Sequence, residues 1–201
     1  MSLSDLMRAV ETTLAHLPDP AGTAVRARFH HGDAAAVTPR WPEVVDRYLP
    51  AALAASGSHH GLAPALDAAA RSLHWLFYDA YPADLIGPDF AAGHAFASLI
   101  GEEAAPFPAQ DFDLGFFLVA PGLHYRDHRH PAPELYLPMT GPHGWRFDGA
   151  GGFAPLPAWV PVWNPPMRVH ATQVGSVPFL ALYVWTEHAF DPAEIVVTEP
   201  E

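Results

Sequence analysis

The 201-residue sequence contains no cysteine and no lysine, and all ten of its basic residues are arginine. Without cysteine, disulfide bonds, thiolate metal sites and cysteine nucleophiles are excluded. The ten arginines are set against 22 acidic residues, which gives a formal net charge of −12 at pH 7. A protein that binds nucleic-acid phosphates needs the opposite sign of charge. We therefore expect no nucleic-acid partner.

Long apolar runs are also missing from the chain. The longest apolar stretches, such as 116–120, have the length of a strand and fall far short of the roughly 18 to 20 residues of a membrane span. The first residues include an acid where a signal peptide has bases, and no long apolar segment follows them. We therefore expect no membrane association and a cytoplasmic location.

The first half of the sequence has the period of amphipathic helices. Apolar residues recur three or four positions apart in four segments, and this spacing predicts a helix in each. The predicted helices span residues 4–17, 40–55, 62–78 and 89–100.

The second half is rich in proline and changes to short apolar runs separated by Pro/Gly turns. Such runs predict strands of a sandwich or barrel. The predicted strands span residues 113–120, 143–147, 158–163 and 179–187. The sequence thus predicts an α+β protein, with residues 1–105 as a helical region and residues 106–201 as a β-barrel in one compact unit.

Four residues of the second half have the chemistry of metal ligands. His128 and His130 are two apart, so on an extended strand both imidazoles point to one face. Glu134 has an even offset from both, which can return its carboxylate to that face. His170 follows 36 residues after Glu134, which leaves room for a hairpin and a return strand. Nitrogen and oxygen ligands of this mix suit zinc, iron, nickel or manganese, so we predict one divalent transition metal.

The segment from Gly122 to Gly141 resembles a known family. It matches the first cupin motif, G-x5-H-x-H-x3-E-x6-G, at every fixed position. The second cupin motif, G-x5-P-x-G-x2-H-x3-N, is only partly kept, with Pro165 and His170 in register. Other residues stand at its two glycine positions and its asparagine position: Trp159, Met167 and Val174. We therefore identify a metal-binding cupin barrel and expect the turn before His170 to be built differently from the motif.

Within the cupins, the chain resembles the bacterial dimethylsulfoniopropionate (DMSP) lyases, most closely the Q type (DddQ). The features it shares with them are the total length, a helical N-terminal half before a single barrel, and the run H-Y-R-D-H-R-H-P-A-P-E-L-Y. Two tyrosines of this region, Tyr125 and Tyr136, flank the ligand set as they do in that family. The resemblance implies a helical N-terminal region packed on a C-terminal single-domain cupin barrel.

The same resemblance implies a carbon–sulfur lyase, which cleaves DMSP to dimethyl sulfide and acrylate by β-elimination. It implies a metal held by His130, Glu134 and His170, with His128 as a fourth ligand or a close catalytic neighbour. It also implies that Tyr136 is the general base, with Tyr125 as the reserve candidate or a gating residue.

A dimethylsulfonium group has no proton to donate, so apolar and aromatic faces must hold it. Four aromatic residues on candidate strands are predicted substrate contacts, with plain core packing as the alternative for each: Trp145, Trp163, Tyr183 and Trp185.

Two other functions would use the same ligands. One is a different cupin metalloenzyme, such as a dioxygenase or a sugar isomerase. The other is a non-catalytic cupin that binds a small carboxylate or a sugar. The sequence leaves the metal open among zinc, iron, manganese and nickel, and the assembly open between monomer and homodimer.

Overall fold

The structure is a computed structural model that describes residues 2–102 and 104–197. Residues 1 and 103 of the predicted helical region and residues 198–201 of the predicted barrel region lie outside these ranges. Within these ranges, six α-helices precede the first strand: α1 (Leu3–Ala15), α2 (Ala21–Arg28), α3 (Glu43–Ala55), α4 (Leu62–Ala69), α5 (Ala83–Ile86) and α6 (Pro88–Gly93). None of the helices in the described ranges is both long enough and apolar enough to cross a membrane.

The first two predicted helices are confirmed as α1 and α3. Helix α1 begins with a capping box. The Ser2 side chain accepts a hydrogen bond from the backbone N–H of Asp5, and the Asp5 side chain accepts one from the backbone N–H of Ser2. Apolar residues of both helices are buried at the spacing that the sequence predicted. Helix α2 was not predicted, because it is short and only weakly amphipathic.

The other two predicted helices are wrong in their C-terminal parts. Helix α4 ends at Ala69, and after one 3-10 turn the chain becomes extended. There the backbone N–H of Leu76 donates to the carbonyl of Phe96 at 2.7 Å. Helix α6 ends at Gly93, and the alanine-rich residues after it form a strand because they pair with a neighbouring strand along their whole length. Tertiary pairing overrides the helical preference of alanine at this place.

In the part of the chain that the structure describes, eleven strands form two mostly antiparallel sheets. The strands are β1 (His94–Gly101), β2 (Phe107–Pro108), β3 (Asp113–Val119), β4 (His124–Arg129), β5 (Glu134–Pro138), β6 (His143–Phe147), β7 (Ala154–Leu156), β8 (Val162–Asn164), β9 (His170–Gln173), β10 (Phe179–Trp185) and β11 (Glu194–Ile195). The larger sheet has the order β2-β1-β3-β10-β5-β8, and the smaller has the order β11-β4-β9-β6-β7. The predicted strands at 113–120, 143–147 and 179–187 are confirmed, whereas the one at 158–163 is displaced to 162–164.

The larger sheet is buried on both faces. One face packs against the N-terminal helices through aliphatic residues such as Leu118, Leu180 and Leu182. The other face packs against the smaller sheet through aromatic residues such as Phe117 and Phe179. This arrangement explains why β3 is a nearly continuous apolar run. A strand that is covered on both faces does not need polar residues at alternate positions.

Strand β1 belongs to the larger sheet, although its residues lie within 1–105, which the sequence predicted as the helical region. It pairs antiparallel with β3, with an irregularity between Ser98 and Ile100. Gly115 allows this close approach, because a Cβ there would lie 2.2 Å from the carbonyl oxygen of Ala97. The division at residue 105 stays a prediction, and the sheet itself begins at His94.

Candidate metal centre

The candidate ligands come from two strands of the smaller sheet and one strand of the larger. His128 on β4 is paired directly with His170 on β9, so their side chains lie side by side on one face. His130 follows β4, and Glu134 begins β5. All four side chains are buried, with exposed fractions of 2% or less. The sheets therefore bring together the four residues that the sequence singled out.

Backbone carbonyls fix the orientation of the three imidazoles. The Nδ1 atoms of His128, His130 and His170 lie 2.8, 2.8 and 2.9 Å from the carbonyl oxygens of Arg126, Ala132 and Arg168. A carbonyl only accepts, so each Nδ1 carries the proton and the Nε2 of a neutral ring keeps its lone pair. Metal-bound histidines are held in this way by their other ring nitrogen.

The free nitrogens converge on one point. One ligand atom from each of His128, His130 and His170 lies within 4.8 Å of the others. The buried Nε2 of His170 has no hydrogen-bond partner, although it lies 3.2 Å from Glu134 Oε2. Since a buried nitrogen without a partner is costly, the cluster has the donor set and the unsatisfied atom that a metal ion would complete. The residues present therefore fit a divalent metal.

Glu134 is held at the edge of the histidine cluster by four neighbours. Its Oε2 lies 3.3 Å from His130 Nε2 and accepts a hydrogen bond from Asn164 Nδ2 at 3.0 Å. Its Oε1 accepts a hydrogen bond from the indole N–H of Trp185 at 2.7 Å. Both carboxylate oxygens are thus oriented, and Oε2 faces the nitrogens of His130 and His170.

Burial and neighbouring charges shift the pKa values of the cluster residues in different directions. Burial, together with the nearby His170 and His130 rings, holds the pKa of His128 well below its usual range. Burial opposes charge on Glu134 as well, but the His130 and His170 rings outweigh it and hold its pKa well below the ordinary value. For His130, burial is outweighed by the Glu134 carboxylate, and the pKa is raised. The cluster thus carries a buried carboxylate and, at His128, a neutral imidazole, which is the ligand state that metals bind.

A cavity of about 310 Å³ opens beside this cluster. Glu134 is part of its wall, which otherwise is mostly aromatic, and the lining includes Tyr78, Tyr81, Phe96, Phe117, Tyr125, Tyr136, Tyr183 and Trp185. A concave, largely apolar space with a few convergent polar groups is typical of a small-molecule site.

Both predicted tyrosines line the cavity, but in different settings. Tyr136 stands on β5 two residues beyond Glu134 and is paired with Tyr183 on β10. Tyr125 stacks on the His128 ring at 3.9 Å, and its hydroxyl lies 2.6 Å from that of Tyr81. Burial raises the pKa of both Tyr136 and Tyr125 well above 10, and the Glu134 charge adds to the effect. The Tyr81 partner was not predicted, because Tyr81 is 44 residues from Tyr125 in the sequence and lies beyond the predicted helix at 62–78.

The predicted aromatic contacts divide between the two faces of the sheet. Tyr183 and Trp185 line the cavity. Trp163 is paired with Leu135, packs against the aliphatic core beside the helices and is not part of the cavity wall, and its role as a substrate contact stays a prediction. Trp145 is buried between the sheets and is not part of the cavity wall.

The residues at the two glycine positions of the second cupin motif have strained backbones. Trp159 and Met167 have φ values of 65° and 60°. These are left-handed conformations, which glycine adopts without cost and other residues rarely adopt. The strain is therefore carried by a tryptophan and a methionine, and the expectation of a differently built turn before His170 stays a prediction.

Comparisons with known proteins agree on one family. A family model described as dimethylsulfoniopropionate lyase matches residues 24–181. A curated relative, dimethylsulfoniopropionate lyase DddQ of Ruegeria pomeroyi, is 31% identical over 105 residues, which are 52% of this chain and 51% of the relative. The match thus spans about half the length of that relative.

Two solved structures are similar over nearly the whole chain. The DMSP lyase DddQ from Ruegeria pomeroyi superposes with a TM-score of 0.72 and 26% identity, covering 99% of this chain and 98% of the other. A structure described with the DMSP lyases RdDddP and RnDddQII gives a TM-score of 0.81 at 23% identity, covering 97% of each chain, and this likeness concerns the fold. The α+β architecture, with N-terminal helices before a cupin barrel, is confirmed.

Proposed function

The chain belongs to the dimethylsulfoniopropionate lyase family, and on that premise we propose that it is a carbon–sulfur lyase that cleaves DMSP to dimethyl sulfide and acrylate. The observation that carries the proposal is the meeting of three oriented imidazoles at the Glu134 carboxylate, which lines an aromatic cavity together with Tyr136. We infer the substrate, DMSP, from family membership. The residues in and beside the cavity provide a group for each part of the reaction.

The elimination needs three functions from the protein. A base removes the proton from the carbon next to the substrate carboxylate. The electrons of that C–H bond form the double bond of acrylate, and the electrons of the C–S bond leave with neutral dimethyl sulfide. The protein must therefore bind the carboxylate, accept a proton and accommodate a sulfonium.

We assign the carboxylate end of the substrate to the histidine cluster. His130, Glu134 and His170 would hold one divalent transition metal, and His128 would be a fourth ligand or a close neighbour. When bound there, such a metal would polarise a substrate carboxylate and favour the phenolate form of a neighbouring tyrosine through its positive charge. The backbone carbonyls behind the three imidazoles keep their Nε2 atoms aimed at this place.

We assign the role of general base to Tyr136. Its phenol oxygen lines the cavity, and its place on β5 fixes it beside Glu134. The competing candidate, Tyr125, shares a short contact with the Tyr81 hydroxyl, which makes its oxygen less free to take a proton. Tyr136 Oη would accept the proton of the substrate α-carbon, and Tyr125 would help to close the cavity above His128.

Headspace detection of dimethyl sulfide, with parallel measurement of acrylate, tests this function. The purified protein is stripped of metal and then supplied with DMSP and with zinc, iron, manganese or nickel in turn. We expect equal amounts of the two products, with activity restored by at least one metal and absent in His170→Ala. A protein that keeps its fold and binds metal, yet releases no dimethyl sulfide with any of the four, would contradict the proposal. Oxygen uptake with another substrate would instead indicate a cupin dioxygenase.

A further inference from the structure

A second carboxylate lies in the cavity wall, across the sheet from the histidine cluster. Asp113 begins β3 and is paired with Trp185 on β10, which is itself paired with Glu134 on β5. Residues paired directly across strands point to the same face. Since neighbouring strands are about 4.8 Å apart, the backbones that carry the two carboxylates are separated by about 10 Å, with the indole between them.

The Asp113 carboxylate is held firmly in place. It is 9% exposed, and its Oδ1 accepts a hydrogen bond from the Tyr183 hydroxyl at 3.1 Å. The Ser98 hydroxyl lies 3.0 Å from the same Tyr183 oxygen. Gly101 packs closely behind it, because a Cβ there would lie 3.1 Å from Asp113 Oδ1. The ring of Phe96 stands edge-on to Tyr183 at 6.4 Å and completes an aromatic surround.

No basic side chain neutralises this carboxylate from the cavity side. Among residues 2–102 and 104–197, the cavity wall includes no arginine and no histidine. Burial raises the pKa of Asp113 from 3.8 to about 7. A buried carboxylate without a positive partner is costly in its charged form, so a cation that enters the cavity gains the whole attraction of that charge.

We propose that Asp113, with the rings of Tyr183 and Phe96, binds the cationic end of the substrate and makes the cavity selective for an onium group. This inference rests on the proposed function and extends it to the other end of the same molecule. A dimethylsulfonium offers no N–H or O–H, so a carboxylate attracts it by charge alone, and aromatic faces add cation–π attraction. The substrate would then lie along the row from Asp113 past Trp185 to Glu134.

A structural role for Asp113 is the alternative explanation. In that case the residue would only anchor the Tyr183 hydroxyl, and its charge would not matter for ligands. Asp113→Asn separates the two roles, because the amide oxygen still accepts the hydrogen bond while the negative charge is lost. Tyr183→Phe is the complementary variant, because it removes the hydrogen bond and keeps both the ring and the charge.

A pair of inert ligands tests the charge directly by calorimetry on the metal-loaded protein. 3-(Trimethylammonio)propionate and 4,4-dimethylpentanoate have the same shape and the same carboxylate, but only the first has a positive charge. We expect the wild type to prefer the ligand with the cationic end, and Asp113→Asn to lose about 10-fold to 100-fold of that preference while binding 4,4-dimethylpentanoate nearly as before. Tyr183→Phe should keep the preference. Asp191→Asn is the matched control, since this carboxylate also lines the cavity but is largely exposed beside His188.

The pH dependence gives a second measurement that needs no variant. The titratable groups around Asp113 are Tyr183 on β10, Glu102 after β1 and, beyond Trp185, Glu134 on β5. Between pH 6 and 8 the Asp113 carboxylate gains its charge, because its pKa is about 7. Affinity for 3-(trimethylammonio)propionate should rise several-fold over this range, relative to 4,4-dimethylpentanoate, and Asp113→Asn should abolish the rise.

The outcomes distinguish this inference from the lyase proposal. Equal weakening of both ligands by Asp113→Asn, or a wild type that does not prefer the cation, would overturn the role of Asp113. Dimethyl sulfide release by the same wild-type preparation tests the lyase proposal by itself. A clear cation preference without product release would leave the Asp113 assignment standing and refute the lyase.

Discussion

On β3, β5 and β10, residues that face the N-terminal helices alternate with residues that face the barrel interior. The helix side is aliphatic except for one phenylalanine, and its central positions belong to one large core: Leu114, Phe116, Leu118, Leu135, Leu137, Leu180, Leu182 and Val184. The interior side carries polar and aromatic groups, among them Asp113, Glu134, Tyr136, Tyr183 and Trp185. Adjacent residues of one strand thus lie in different environments, one in the core beside the helices and the next in the barrel interior.

This difference has an energetic reason. A barrel interior that must keep a cavity, two carboxylates and a row of histidines cannot be packed as a dry aliphatic core. Helices α1, α3 and α4 compensate by burying the other face of the same sheet. The N-terminal region is therefore expected to stabilise the barrel. Its helices bury apolar surface on the outer face of the sheet, while polar groups of the site occupy the inner face.

Removing a candidate metal ligand should cause the largest loss of activity. The packing of the helices on the other face of the sheet should not change. We expect His130→Ala, Glu134→Ala and His170→Ala each to abolish metal binding and product release, because each removes a group that converges on the same point. Circular dichroism should show an unchanged helical signal. Full metal occupancy in all three variants, measured by elemental analysis, would show that the ligand assignment is wrong. His128→Ala should lose activity but only part of the metal.

Tyr136→Phe should come next in size. The variant keeps the ring and its packing but removes the proposed base, and loss of a general base typically lowers the rate by roughly 10² to 10⁴-fold. Metal content should stay near normal, because the hydroxyl is not among the assigned ligands. Steady-state kinetics on Tyr125→Phe provide the comparison. If Tyr125→Phe is inactive and Tyr136→Phe is not, the base is Tyr125.

Leu182→Ala tests the helix-facing side. Its side chain is fully buried and is flanked across the strands by Phe116 and Leu137. We expect a loss of about 2–5 kcal/mol in the free energy of unfolding, as for other buried leucines. Urea unfolding measures this loss. The folded variant should bind metal as the wild type does, and a loss of metal without a loss of stability would show that the two faces are not independent.

The same two-faced sheet explains what could be predicted from the sequence. His128, His130 and Glu134 were found because their spacing is local and fits a strand period, and His170 was found because it is in register with the second cupin motif. The face on which Trp163 lies could not be predicted, because a shift of one residue in register moves a side chain to the other face, and register depends on partners distant in sequence. Asp113 was missed because an acidic residue at the start of a strand has no distinctive local pattern. Its role depends on Trp185 and Tyr183, which are 72 and 70 residues away in the sequence.

Strand β1 shows the same limit for the fold. Its residues are rich in alanine and follow a helix, so the local pattern favours a longer helix. The strand forms because β3 offers a partner along its length and because both faces of the sheet are covered. Its residues are buried almost throughout, so they lack the alternation of polar and apolar positions that indicates a strand.

The smallest predicted effect concerns the strained turn before His170. Met167 has a φ of 60° and a side chain that is 45% exposed, so it has strain without much burial to offset it. Met167→Gly should relieve a left-handed conformation that costs roughly 1–2 kcal/mol, while the added freedom of the unfolded chain takes back roughly 0.4–1 kcal/mol. The net gain should be about 0.5–1 kcal/mol, or a few degrees in Tm, measured by thermal unfolding.

Trp159→Gly is the matched control for that gain. It relieves the same backbone strain, but the Trp159 ring stacks on His59 at 4.5 Å and its N–H donates to the Ser56 carbonyl at the end of α3 at 3.0 Å. Losing those contacts should outweigh the relief, so this variant should be less stable than the wild type. If Met167→Gly were also destabilised, the methionine would have a packing role that its exposure does not indicate. The contrast between the two glycine substitutions therefore separates backbone strain from the contacts that hold the helical region to the barrel.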